Sequence, residues 1–220
     1  MDSTIRLYSY WRSSASYRVR IALNLKQLKY EIVPVNLARD GGEQHGSEFH
    51  HLNPQEQVPV LIDGGRVIRQ SLAIIEYLEE VYDGNHLLPG TARERARARS
   101  LAHLIATDIS PLGNLSVLQY LEHEDNMPQI ERERWIRHWI TRGFAAFEEM
   151  LADNPSTGDF CEGDVPSIAD CCLVPQVYNA RRFEVDLTPY PTICRINEHC
   201  LGLAAFDLAT PERQPDAPQL

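Results

Sequence analysis

The sequence predicts a mixed α/β module followed by an all-helical region. Short apolar runs typical of strands alternate with helical patterns in the first part of the chain, and the turn Asp63-Gly64-Gly65 indicates a hairpin there. Strand signals nearly vanish beyond residue 89. With 220 residues the chain suits one or two domains, and a hydrophobic content of 43% is ample for a buried core. We therefore predict domains at residues 1–84 and 89–220.

The first domain is predicted to run β-α-β, then a loop, then a hairpin and a helix. Pro34 favours an edge position for the second strand, because proline cannot donate a hydrogen bond to a sheet neighbour. Ser71 is expected to be the N-cap of the last helix. The predicted elements are strand 5–10, helix 17–25, strand 30–37, hairpin strands 58–62 and 66–69, and helix 72–82.

The second domain is predicted from four helical patterns. The first covers about 91–122 and should be kinked or divided at Ser110-Pro111, since proline lacks the N–H that a helix interior needs. Ser167 and Asp170 have the spacing of a capping box. We expect the other helices at 131–151, from 167 to 182, and from 192 onward, with a poorly ordered Pro-rich tail after residue 210.

Composition excludes several classes of function. A formal net charge of -10 opposes nonspecific binding to nucleic acid or to an anionic membrane. The run Arg93, Arg95, Arg97 and Arg99 is spaced by two, which scatters the side chains around a helix and favours a solvated or interdomain face. No apolar run approaches the roughly 20 residues of a membrane span, and no signal-peptide pattern is present. We expect a cytoplasmic protein that binds neither nucleic acid nor membrane.

The cysteines and histidines suggest neither a disulfide framework nor a metal site. Five cysteines form an odd set without a Cys-x-x-Cys pair. His50 and His51 are adjacent, so a helix would point them in different directions. We expect no bound metal.

Clustered hydroxyls stand where the first strand passes into the first helix. Ser13, Ser14 and Ser16 precede or begin the helical pattern. The N–H groups at a helix start lack intrahelical partners and lie at the positive end of the helix dipole, so this turn can hold an anion. Simple capping is the plainer interpretation, and taken alone the pattern favours it.

This order of elements resembles the zeta class of glutathione transferases over almost the whole chain. Residues 13–23, Ser-Ser-Ala-Ser-Tyr-Arg-Val-Arg-Ile-Ala-Leu, are similar to the class signature except that Ala15 replaces its cysteine. The other matching blocks are residues 52–54 with 57–59, 70–80, 173–177 and 182–191. The resemblance implies a thioredoxin-like N-terminal domain that binds glutathione, an all-α C-terminal domain that binds substrate, and a homodimer.

The resemblance also implies a reaction. Zeta-class enzymes isomerise maleylacetoacetate to fumarylacetoacetate in tyrosine and phenylalanine breakdown, with glutathione as the cofactor that supplies the attacking sulfur. Maleylpyruvate is the alternative dicarboxylate substrate, and a side activity on halogenated acids stays open. Because Ala15 removes the signature cysteine, a noncatalytic glutathione-binding or interaction module is a third possibility.

Glutathione-binding residues follow by resemblance. We expect Ser14 to donate a hydrogen bond to the thiolate, although which serine faces sulfur is left open by the sequence. Around the sulfur we also expect Ser13, the backbone of Ala15 and Ser16. Val58, before a cis proline, is expected to bind the cysteinyl main chain. Gln70 and Ser71 are expected to bind the γ-glutamyl carboxylate, and Gln44 the glycyl end.

Two arginines are the candidates for holding the substrate's carboxylates. Arg12 lies beside the serine turn and Arg182 in a late matching block, and guanidinium groups bind carboxylates in a bidentate fashion. An ion pair of Arg182 with Glu184 or Asp186 is an equally reasonable interpretation. The pocket is expected to be completed by Asn114, Leu115 and Ser116, whose plainer role is helix packing.

Overall fold

The computed structural model of the protein describes residues 4–88 and 90–218. The described chain forms two compact units, one from Met1–Leu87 together with Leu203–Leu220 and the other from Leu88–Gly202. Each unit has its own buried core. The predicted fold class, an α/β module followed by a helical region, is confirmed.

A four-stranded mixed sheet is the centre of the first unit. Strands β1 (Ile5–Ser9), β2 (Tyr30–Pro34), β3 (Val60–Asp63) and β4 (Arg66–Arg69) lie in the order β2-β1-β3-β4. Strand β1 is parallel to β2 and antiparallel to β3, which pairs with β4 across the predicted hairpin. Leu7 in the middle of β1 is fully buried. Pro34 ends an edge strand, as expected.

Three helices complete the αβ part of this unit: α1 (Ser14–Leu25), α2 (Ser47–Leu52) and α3 (Ser71–Val81). Helices α1 and α3 pack against each other through fully buried aliphatic side chains. Two single 3-10 turns, Arg39–Gly41 and Glu43–His45, lie in the loop before α2. These helix positions place the starts of α1 and α3 in the same unit.

The described part of the second unit is helical. It contains α4 (Ala92–His103), α5 (Leu115–His123), α6 (Gln129–Ala152), α7 (Ile168–Arg182) and α8 (Pro191–Leu201). Between α4 and α5 the chain passes through a π-helical turn at Leu104–Ile109 and a 3-10 turn at Ser110–Gly113. The predicted division at Ser110-Pro111 is therefore confirmed.

Two predicted helix starts differ from the structure. Helix α1 begins at Ser14, three residues before the predicted residue 17, because Ser13 caps it. The N-cap of α3 is Gln70, with φ 70°, and Ser71 is the first helical residue. The prediction of Ser71 as the cap was wrong, because the helix already includes Ser71; its hydroxyl accepts a hydrogen bond from Arg18 Nη1 at 3.2 Å.

The last residues of the chain also differ from expectation. The described residues from Leu203 onward, including a short helix α9 (Ala204–Asp207), belong to the first unit and not to the helical one. Asn24 Nδ2 donates to the Ala205 carbonyl at 2.9 Å, and Arg20 Nε donates to the Ala209 carbonyl at 3.0 Å. The tail thus supplies acceptors to two donors on α1, of which Arg20 is fully buried.

One arginine of the run on α4 is not on a solvated face. Arg97 donates to the carbonyls of Cys161 at 2.7 Å and Met150 at 3.0 Å, and to the hydroxyl of Thr157 at 2.8 Å. It also forms a salt bridge of 2.5 Å with Glu162. Arg97 thus fixes the loop that precedes α7.

Among the residues described, every helix is too short or too polar to cross a bilayer.

Candidate functional site

The serine turn forms the start of α1. Ser13 is the N-cap, with φ -67° and ψ 118°, and its Oγ accepts a hydrogen bond from the Ser16 N–H at 3.2 Å. Ser14, the first helical residue, is half-buried. Capping is therefore real, but it occupies the hydroxyl of Ser13 and not that of Ser14.

The first turn of α1 has features that suit an anion. It contains no acidic residue, so the positive end of the helix dipole is not neutralised from within the turn. Ser16 is fully buried, and within the described chain its Oγ has no hydrogen-bond partner. Ala15 contributes its backbone and a methyl group, so the turn itself carries no thiol.

A second element of the site is the turn before β3. The Val58–Pro59 peptide is cis, as the resemblance implies. Asn53 supports this turn: its Nδ2 donates to the Gln57 carbonyl at 2.7 Å, and its Oδ1 accepts from the Gln55 N–H at 3.2 Å. The Val58 main chain is thereby held at the entry to a central strand.

The start of α3 is the third element. Gln70 has a left-handed backbone, and its Nε2 donates to Gln55 Oε1 at 2.8 Å. Ser71 is buried, and its Oγ accepts from the Arg18 guanidinium. Because that bond uses an oxygen lone pair, the hydroxyl proton of Ser71 is available to donate to an anion. The first turn of α3, like that of α1, contains no acidic residue.

Gln44 lies in the loop before α2 and is only 3% exposed. Its Nε2 is 3.0 Å from His45 Nε2, which must therefore be the acceptor, and its Oε1 is buried without a partner in the described structure. His45 Nδ1 and His50 Nδ1 lie 2.6 Å and 2.8 Å from the carboxylate of Glu56. Hydrogen bonds from these two imidazoles lower the pKa of Glu56.

The two candidate arginines belong to different units. Arg12 stacks on Trp11, with its guanidinium carbon 5.2 Å from the ring centroid. Arg182 stacks on Phe183 at 4.7 Å, and it lines a concavity of about 250 Å³ in the helical unit. The other lining residues are Glu133, Arg137, Phe183 and Glu184. Sequence reasoning missed Arg137, because it lies 45 residues before Arg182 and no local pattern connects the two.

The predicted pocket residues at the start of α5 have local roles as well. Asn114 is the N-cap of α5, and its Oδ1 accepts from the Ser116 N–H at 3.3 Å. Leu115 is 38% exposed, one of several large apolar side chains at the surface. These residues lie in the same unit as Arg182.

The cysteines take no part in this arrangement. All five are free of disulfides, and four of them are buried. Burial raises the pKa of the thiols of Cys161, Cys171 and Cys200, so they are protonated at neutral pH. In the described part of the chain, no three His, Cys, Asp or Glu side chains are grouped so as to hold a metal ion.

Comparison with known proteins identifies the family. Residues 3–80 match the family model of the glutathione S-transferase N-terminal domain. A protein of Vibrio cholerae named probable maleylacetoacetate isomerase is 54% identical over 96% of this chain and 97% of its own length. A holo structure of maleylpyruvate isomerase, described as a bacterial glutathione S-transferase of the zeta class, is 46% identical with a TM-score of 0.94, covering 97% of this chain and all of the other.

The chain belongs to the zeta class of glutathione transferases. A second structure, maleylacetoacetate isomerase from Methylobacterium extorquens AM1 with bound malonate and glutathione, is 43% identical with a TM-score of 0.94 and covers 97% of this chain and 100% of that one. Malonate is a small dicarboxylate, so that relative binds the two ligand classes expected for this zeta-class chain. The resemblance seen in the sequence is confirmed.

Proposed function

We propose that the protein is a glutathione-dependent cis–trans isomerase that converts maleylacetoacetate to fumarylacetoacetate. The observation that carries the proposal is the start of α1, where a helix N-terminus free of acidic residues begins at Ser14, directly after the cap Ser13. When bound, glutathione supplies the sulfur that adds reversibly to the conjugated double bond and so permits rotation about it.

The residues of the first unit fit glutathione. A buried Oε1 on Gln44 and a buried Oγ on Ser16 have no partner among the described residues, which suits a site built for a polar ligand. Ser71 donates its hydroxyl proton to the γ-glutamyl carboxylate at the start of α3, with Gln70 beside it. The Val58 main chain pairs with the cysteinyl backbone, and Gln44 binds the glycyl end.

The role of Ser14 is to stabilise charge on the bound sulfur. A free thiol has a pKa near 8.5, so only a few per cent is ionised at neutral pH. Lowering that pKa by about two units stabilises the thiolate by roughly 2.7 kcal/mol. One hydroxyl donor and the backbone N–H groups at the start of α1 are adequate sources of this stabilisation.

Arg12 and Arg182 bind the carboxylates of the substrate, which the net charge of -10 would otherwise repel. Both guanidinium groups are stacked on aromatic rings, which orients them without neutralising their charge. Asn114, Leu115 and Ser116 line the substrate pocket in this proposal. In that pocket the apolar side chain of Leu115 covers the carbon chain of the substrate.

The test is an isomerisation assay with dialysed protein. We expect turnover of maleylacetoacetate only after glutathione is added, and equal turnover without any thiol would refute the proposal. Maleylpyruvate is assayed in parallel, because a relative of that name has a TM-score of 0.94 to this chain. A higher kcat/KM for maleylpyruvate would reassign the substrate, and glutathione binding without turnover of either diacid would identify a binding module.

A homodimer in the cytoplasm is part of this proposal, because both follow from the family resemblance. Light scattering of the purified protein is expected to give about twice the mass of 25.1 kDa. A monomeric mass at micromolar concentration would remove the dimer from the proposal.

A further inference from the structure

The bend at Tyr10 and Trp11, which joins β1 to the serine turn, is held by two charged side chains from elsewhere in the first unit. Arg20 Nη2 donates to the Trp11 carbonyl at 3.0 Å and Nη1 lies 3.4 Å from the Tyr10 carbonyl. On the other side, the Trp11 N–H donates to Asp216 Oδ2 at 2.8 Å. Both polar groups of the Trp11 main chain are therefore bound by charged partners.

Arg20 is an interior anchor. It is fully buried, and its Nη1 also donates to Ser9 Oγ at 3.2 Å, while its Nε donates to the Ala209 carbonyl. Burial lowers the pKa of Arg20 to about 10, so the guanidinium is still charged at neutral pH. One side chain of α1 thus ties the end of β1, the bend and the C-terminal segment (residues 209–216) together.

The C-terminal segment is itself fixed in place. Gln214 is buried, and its Nε2 donates to the carbonyls of Thr210 at 2.7 Å and Leu208 at 3.1 Å. Pro211, also buried, starts a 3-10 turn, Pro211–Arg213. Asp216 is therefore presented to the bend by a packed segment and not by a loose end.

The bend leads directly to the serine turn. The Ser13 N–H donates to the Tyr10 carbonyl at 3.0 Å, the same carbonyl that Arg20 approaches. A shift of Trp11 would therefore move the acceptor that places Ser13, and with it the Ser14 hydroxyl one residue further on. Hydrogen-bond donors at a reacting atom lose effect when they are misplaced by about 1 Å.

We propose that Asp216 is a positioning residue for the serine turn: its carboxylate holds the Trp11 N–H so that Ser14 faces the bound sulfur. The inference rests on the proposed function, since it assigns Asp216 to the stabilisation of a thiolate. Asp216 does not touch the cofactor or substrate in this account. It acts through the main chain of Trp11 and the cap at Ser13.

The experiment compares Asp216→Ala, Asp216→Asn and Asp207→Asn in the full chain. Asparagine keeps an oxygen that can accept from Trp11, whereas alanine does not. Asp207 is the matched control, because it is a half-buried aspartate near the same segment whose carboxylate pairs with Arg213 at 2.8 Å and not with Trp11. Three quantities are measured. The first is the pKa of the bound glutathione thiol, obtained from the ultraviolet absorbance of the thiolate. The others are kcat/KM for isomerisation and the melting temperature.

We expect Asp216→Ala to raise the pKa of the bound thiol by about one unit and to lower kcat/KM by about tenfold at neutral pH. Asp216→Asn and Asp207→Asn should stay within about twofold of the unaltered protein in kcat/KM, because neither removes the acceptor of the Trp11 N–H. A lower melting temperature for Asp216→Ala with an unchanged thiol pKa would show a purely structural role and overturn the inference. Failure of asparagine to rescue would also overturn it.

Ser14→Ala separates this inference from the function on which it rests. If Ser14→Ala raises the thiol pKa and Asp216→Ala does not, the positioning role fails while the proposed function stands. If neither variant changes the thiol pKa, the proposed role of the serine turn fails.

Discussion

Two helices of each unit begin in contrasting ways. In the helical unit, α7 starts with a completed capping box: the Ser167 N–H and Oγ–H both donate to Asp170 Oδ2, at 2.8 Å and 2.9 Å, and Ser167 Oγ accepts from the Ala169 N–H at 3.2 Å. Thr91 and Glu94 close the start of α4 in the same way. In the α/β unit, α1 and α3 have no acidic residue in their first turns.

The contrast is sharpest between α1 and α7, since a serine caps both. Three residues after the cap, α7 has Asp170 and α1 has Ser16. Asp170 is fully buried and also accepts from the Cys161 N–H at 2.9 Å, so the carboxylate satisfies the helix start internally. Ser16 brings no charge. A closed helix start stabilises the fold, whereas an open one keeps its positive end for an external anion.

Asp170→Ala is expected to have the largest effect, because it opens the closed start. We expect a loss of about 3 kcal/mol in the free energy of unfolding, because the Ser167 N–H, the Ser167 hydroxyl and the Cys161 N–H all lose their acceptor. Urea denaturation measures it. The control Asp186→Ala removes an exposed carboxylate that accepts from the N–H and hydroxyl of Thr188, and it should cost about 1 kcal/mol or less. Equal losses for both would show that the closed start is unimportant to the fold.

Ser14→Ala is expected to have the next largest effect, and on activity instead of stability. Removal of a hydrogen-bond donor from a developing or stabilised anion costs about 100-fold in kcat. The matched control is Ser47→Ala, the exposed first residue of α2, which should change neither kcat nor stability. If Ser14→Ala has an unaltered kcat, the open start of α1 does not serve the sulfur.

Ser71→Ala tests the second open start. We expect the KM for glutathione to rise about tenfold with little change in kcat, because the lost bond is made equally in the ground and transition states. Thr91→Ala is the comparison from a closed start, with a cost of about 1 kcal/mol in stability and the KM unchanged. A fall in kcat without a change in KM for Ser71→Ala would place this residue at the reacting centre instead.

Ala15→Cys is expected to have the smallest effect. It restores the thiol of the family signature within the open start of α1, yet the attacking sulfur in the proposal belongs to glutathione. The isomerisation rate should therefore stay within about twofold. A gain of tenfold or more would mean that the protein's own thiol takes part in the reaction.

Local chemistry made parts of both units predictable. The hairpin follows from Asp63-Gly64-Gly65, where both glycines have positive φ, at 54° and 83°, in the conformation that a tight two-residue turn requires. The capping box of α7 follows from the spacing of Ser167 and Asp170 alone, and the edge position of β2 follows from Pro34. In each case the determining residues lie within a few positions of the feature.

What the sequence did not predict depends on distant contacts. Asp216 and Trp11 are 205 residues apart, and no local pattern connects them. Ser71, which was misassigned as the cap of α3, is a helical residue whose hydroxyl accepts from Arg18, 53 residues earlier. Most residues of the candidate site were predicted from the family resemblance, whereas the groups that position the serine turn come from the folded unit.

The most direct test of the account is the pKa of the glutathione thiol in the complex with the unaltered protein, obtained by ultraviolet titration of the thiolate. The account predicts a value about two units below the ordinary 8.5 of a free thiol, with most of that difference lost in Ser14→Ala. A bound thiol that titrates like the free one would contradict it.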